Sequence, residues 1–191
     1  MDKRWFNLII LTAIVLAGII AYFFFFQAPS FSQRLEAMKA SWVKAGLEAK
    51  PLHLSYDRLN RLSQKELSDL KAGLVQFTES EKNSAARELG EAYVSLIDIS
   101  IYRQKMLEVQ EEISKAENPC TVLPKYDLLT EYKESLLAST EEYLSKVDSF
   151  VSSNPEAARE AQIQAGSGAE ELASSVARHK TLVAQLKEAC K

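Results

Sequence analysis

The sequence predicts an all-α protein, with one N-terminal transmembrane helix followed by an antiparallel bundle of four to six helices around a long central hub helix. Three observations carry this reading. Residues Trp5–Phe26 contain no charge, and Asn7 and Thr12 are their only conventionally polar side chains. Beyond them Gly and Pro are scarce, Ala, Leu, Glu, Lys and Ser abound, and β-branched residues seldom alternate with polar ones. Apolar residues also recur at steps of three and four along most of the remaining chain.

At about 1.5 Å of rise per residue, a helix over residues 5–26 covers roughly 33 Å, enough to cross a hydrocarbon core of about 30 Å. It reads as a signal anchor in contact with membrane lipid. Lys3 and Arg4 abut the span, whereas the nearest cation beyond it is Arg34, so residues 1–4 read as a cytoplasmic tail and the rest as extracytosolic. Two alternatives stay open. Ala28-Pro29-Ser30 offers a small-x-small cleavage site, which would leave a secreted protein cut near Ser30; against this, the apolar run exceeds the roughly 7–15 residues of a signal core. Arg34, Lys39 and Lys44 also lie within the counting distance, which leaves room for the inverted orientation.

Pro29 disfavours helix at Ala28 and should stop or kink the span. Leu35, Met38, Trp42, Val43 and Leu47 then give a juxtamembrane helix from about Ser32 to Lys50, ended by Pro51, so residues 27–50 read as a stalk and 51–191 as the bundle. Ser63-Gln64-Lys65-Glu66 is a capping box, with Leu62 and Leu67 placed for a hydrophobic staple. It opens a helix to about Phe77 with the stripe Leu67, Leu70, Leu74, Phe77.

The hub should run from about Glu79 to Glu117, with Thr78 as its cap and Glu81 three residues on. Ala85, Leu89, Ala92, Leu96, Ile99, Arg103, Met106, Gln110 and Ile113 keep a coiled-coil-like heptad register. Around Ala92–Tyr102 apolar residues cover more than one face, which places this helix inside a bundle. Asn118-Pro119 ends it. The next helix, from about Tyr126 to Ser152, carries Leu129, Tyr132, Leu136, Tyr143, Val147 and Phe150 and should return antiparallel. Asn154-Pro155 should cap a short Ala-rich helix ending at Gly166, and Ser167-Gly168-Ala169-Glu170 reads as a second capping box. The last stripe is Leu172, Val176, His179, Val183, Leu186 and Cys190.

The charge balance narrows the function. Beyond residue 29 the chain holds 21 basic and 25 acidic side chains of interspersed sign, which excludes a basic face for nucleic acid. No C-x-x-C, H-E-x-x-H, G-x-S-x-G or Gly-rich phosphate loop occurs, so no catalysis, metal or cofactor is expected. Glu108, Glu111, Glu112 and Glu141-Glu142 read as solvated faces. Asp98, Arg103 and Gln110 sit on or beside the hub stripe and His179 on the last one; each needs a partner if buried. They read as core polar groups, with a ligand pocket formed by Asp98, Arg103 and His179 as the sharper alternative. The bundle is also expected to be closed by a disulfide between Cys120 and Cys190, because two cysteines in an oxidising compartment leave no thiol over and the final helix climbs back to the end where Cys120 lies. Taken together, the chain reads as a membrane-anchored structural or protein-interaction module with an unidentified protein partner; a ligand-sensing or ligand-carrying bundle is the alternative.

Overall fold

Wherever this chain begins a helix after residue 59, a short polar side chain, a proline or a glycine stands at the head. The computed structural model describes residues 29–44, 59–166 and 168–191, with backbone alone at 41–44. Among them lie six α-helices and one 3-10 turn, and no strand. The helices are α1 (Phe31–Lys44), α2 (Gln64–Ser80), α3 (Ser84–Ser114), α4 (Leu123–Ser153), α5 (Pro155–Glu160) and α6 (Ala169–Ala189), and the turn spans Pro119–Val122. The span expected at residues 5–26 and the stretch 45–58 fall outside the described residues. Among those described, no helix is long and apolar enough to cross a membrane.

The capping box forms as the spacing requires. The Glu66 amide donates to Ser63 Oγ at 3.3 Å, and the Ser63 amide donates to Glu66 Oε2 at 2.7 Å. Hydrogen bonds from Ser63 hold the Glu66 carboxyl below the usual carboxylate range. The helix so started buries Leu67, Leu70, Leu74 and Thr78. Fully burying a side chain of leucine size contributes about 1.5–3 kcal/mol, so this one stripe outweighs several surface ion pairs.

The start of the hub differs from expectation. Helix α2 continues to Ser80, and the Thr78 hydroxyl, instead of capping, donates back to the Val75 carbonyl at 2.8 Å. Asn83 is the cap: its Oδ1 accepts from the Ala86 amide at 3.0 Å. The corner between α2 and α3 is thereby shortened to Glu81-Lys82-Asn83, which lets the two helices pack as immediate neighbours. Gly90 permits that closeness, since a Cβ there would stand 2.5 Å from Thr78 Cγ2.

Helix α3 is the hub. Ala85, Leu89, Ala92, Leu96 and Ile99 are buried on its main stripe, and Tyr93, Ile97 and Ser100 are buried on other faces. It packs most extensively on α4 and next on α2, with α1 also against it. Beyond Ile101 the cover thins, and Leu107 is 49% exposed. The helix stops at Ser114, short of Glu117, and Asn118 caps the 3-10 turn through its bond from the Cys120 amide at 2.9 Å.

Pro124 in the first turn opens α4, which buries Leu129, Leu136, Val147 and Phe150. Asn154 does not cap α5 with its side chain; its Nδ2 donates instead to Glu88 Oε2 on α3 at 2.9 Å. Helix α5 is shorter than expected, ending at Glu160. The Ile163 amide bonds to the Ala158 carbonyl and the Gln162 amide to the Arg159 carbonyl, a Schellman ending with Gln162 at φ 56°. Ser167 lies outside the described residues. Gly168, at φ 140°, occupies the cap position of α6 with no side-chain cap bond.

Helix α1, inside the stretch expected as a stalk, is part of the packed core. Leu35 and Met38 are buried in the same cluster as Leu59, Leu67, Leu74, Leu89 and Phe150. Phe31 meets the Phe150 ring at 6.2 Å between centroids. Residues Phe31–Lys191 form one compact unit.

Candidate functional site

Of the polar residues singled out from the sequence, Asp98 and His179 go to different helix interfaces. Asp98 points from α3 to α2, where its two carboxylate oxygens accept from Lys71 Nζ at 2.7 and 2.8 Å. His179 lies on α6, which packs on α4. Arg103 is half-buried on α3 and engaged by a neighbour. Asp98 and His179 thus serve interfaces on either side of the α3–α4 pair. An open depression on the protein is lined instead by Glu170, Glu171, Ser174, Ser175 and Arg178.

His179 is 8% exposed, and its Nε2 is buried with no hydrogen-bond partner among the described residues. Burial and the Lys133 ammonium hold its pKa below the ordinary value, against a smaller opposite pull from the Tyr126 carbonyl. Burial likewise lowers Lys133. The ring is therefore neutral at neutral pH, inside a thin apolar contact with Val176 and Val183 on the same stripe. Lys180 to Glu134 and Lys187 to Asp127, the latter at 2.6 Å, flank that contact on its wet edges.

Sequence reading did not single out Glu81 as a buried charge. Its side chain is 1% exposed, yet it carries a carboxylate, which accepts from the Asn83 amide at 2.8 Å and faces Arg34 Nε at 3.2 Å. The Arg34 Nε approach falls outside hydrogen-bond geometry, so the pair is held by charge more than by a directed bond. No local spacing could have revealed it, because Arg34 sits on α1 and Glu81 in the distant α2–α3 corner. Elsewhere on α1, Ser32 Oγ donates to Glu160 at the end of α5.

The lower hub is stitched by polar bonds where apolar cover thins. Gln104 Nε2 donates to the Leu62 carbonyl at 2.6 Å, Gln64 Nε2 to Glu108 Oε1 at 3.0 Å, and Lys125 to Glu112 at 2.7 Å. Lys105 Nζ stands 5.6 Å from the centroids of both Tyr102 and Tyr132. Higher up, Lys146 on α4 reaches Ser95 Oγ on α3 at 3.1 Å and Glu142 at 2.6 Å. Tyr93 is buried between helices, and desolvation with Tyr143 nearby pushes its phenol far above the ordinary range. Most of the acidic residues named from the sequence thus face a cation or amide, and among the described residues no group of three or more His, Cys, Asp or Glu is placed to hold a metal.

The disulfide is present. Cys120 and Cys190 are bonded, with Cα atoms 5.5 Å apart and a sequence separation of 70. It joins the exposed 3-10 turn between α3 and α4 to the C-terminal cap of α6, the end to which the antiparallel order brings both. No family model matches the chain, and no curated protein and no solved structure shows significant similarity to it.

Proposed function

We propose that the chain is a single-pass membrane protein whose extracytosolic helical bundle serves as a structural or protein-interaction module without catalysis or cofactor. The observation that carries this reading is the Cys120–Cys190 bond with no thiol left over, because such a bond belongs to an oxidising compartment. The charge-free stretch Trp5–Phe26 behind Lys3 and Arg4 supports the same side of the membrane and supplies the lipid anchor. Polar residues such as Asp98 and Lys146 that bond across helix interfaces support a docking or spacing role, with a protein, not nucleic acid, as partner. The ligand-pocket alternative draws less support, since Asp98 is already held by Lys71 and His179 serves another interface.

Protease added to right-side-out vesicles should digest residues beyond about Ser30, and mass analysis after alkylation without reductant should find no modified cysteine. Full protection of the domain, or two alkylated thiols in material from its native compartment, would overturn the reading. N-terminal sequencing that finds a start at or next to Phe31 would replace the anchor by secretion.

A further inference from the structure

Helix α6 packs chiefly on one helix, α4. Most buried apolar residues of α1 to α5 join in one cluster, from Leu35 and Leu67 through Tyr93 and Ile97 to Phe150 and Ala161, while Ala86, Ala92 and Val109 of α3 and Leu129 and Val147 of α4 lie outside it. Val176 and Val183 of α6 are buried but lie outside that cluster, and Leu172, in its first turn, is the α6 residue that packs against it. What α6 buries on α4 is therefore two valines and a histidine whose Nε2 is unpartnered among the described residues. Leu182 on the same helix is 47% exposed. The flanking ion pairs Lys180–Glu134 and Lys187–Asp127 are about half exposed and screened, so they hold α6 only weakly. The covalent bond at its far end adds to the burial of Val176, His179 and Val183 as an attachment of α6.

We propose that the Cys120–Cys190 bond is a redox clasp whose reduction releases α6 from α4 while the α1–α5 cluster stays folded. Cys120 is exposed in its turn and Cys190 half-buried at the helix end, so an external dithiol meets Cys120 first. Its thiolate attacks Cys120 Sγ, forming a mixed disulfide and expelling the Cys190 thiolate, which takes a proton. The second thiol of the reagent then displaces Cys120, leaving two protein thiols and one oxidised reagent. Two electrons and two protons have moved. Release uncovers the flank of α4 around Tyr126 and Lys133 and sets free an amphipathic helix of 21 residues. The clasp would operate with any reductant of the dithiol class, independently of the partner.

Amide hydrogen exchange on the full chain in detergent, with and without dithiothreitol, tests this. On reduction, exchange in residues 169–189 should accelerate roughly a hundredfold or more, while the stretches Leu67–Leu74 and Leu89–Ile99 keep their protection. The double variant Cys120→Ser with Cys190→Ser should show the reduced pattern without reagent. Unchanged protection of α6 after reduction overturns the proposal, as does loss of protection throughout the bundle at once.

Discussion

Gly90 and Thr78 meet where α2 crosses the hub, and the space there admits no methyl group. Gly90→Ala gains helix propensity of about 1 kcal/mol but drives a Cβ to 2.5 Å from Thr78 Cγ2. A net loss of about 1–2 kcal/mol in urea unfolding is expected, and Thr78→Ser in the same chain should recover most of it by removing the methyl group. Equal losses in single and double variants would show that the clash is not with Thr78. Gln162 presents the opposite case, a side chain held at φ 56° where glycine is at ease. Gln162→Gly should raise stability by up to about 1 kcal/mol, and a fall instead would mean that the glutamine side chain makes a contact of its own. His179 adds a pH dependence whose sign follows from its lowered pKa. The unfolded chain takes up the proton near the ordinary value of about 6.5, and the folded chain only at lower pH. Stability from this group is therefore complete above about pH 6.5 and declines as pH falls from there to the folded pKa. His179→Leu should flatten the melting temperature across that window, and an unchanged slope would assign it to other groups.

At the scale of the element, α1 is fastened at both its ends of polarity: Phe31, Leu35 and Met38 go into the core, and Arg34 covers the buried Glu81 carboxylate. Arg34→Leu should cost about 1–3 kcal/mol by leaving that charge alone, and adding Glu81→Gln should return part of it. Should Arg34→Leu melt with the parent, the Asn83 amide and solvent suffice for Glu81. The elements themselves were largely legible from the chain. Ser63 and Glu66 are three positions apart and meet within one turn, so spacing alone decides their bond, and the 3-4 stripes of α2, α3, α4 and α6 record which side faces the core. What spacing could not decide was competition among local options. Thr78, Asn83 and Asn154 all resemble caps, but Thr78 donates to the Val75 carbonyl, Asn83 caps α3 and Asn154 turns to Glu88. Pairings across helices, such as Lys71 with Asp98, depend on crossing geometry and leave no trace in sequence. Of the residues named for a pocket, Asp98 is held by Lys71 of α2 and His179 lies on α6, so crossing geometry and not stripe position decides where each goes.

At the scale of the whole molecule, the two most extensive helix contacts among the described residues join chain neighbours, α3 with α4 and α2 with α3, ahead of α4 with α6. Such local topology favours rapid folding of that portion. The seat of α1 is different, because Ser32 is bonded to Glu160, 128 positions further along. The Arg34–Glu81 pair can close as soon as the α2–α3 corner exists, but Phe31 and Ser32 have no Phe150 or Glu160 to meet until much later. At synthesis rates of about 5–20 residues per second, that interval is roughly 6–26 seconds. During it Phe31 at the start of α1 lacks its Phe150 cover, while Leu35 and Met38 can already pack with Leu67 and Leu89.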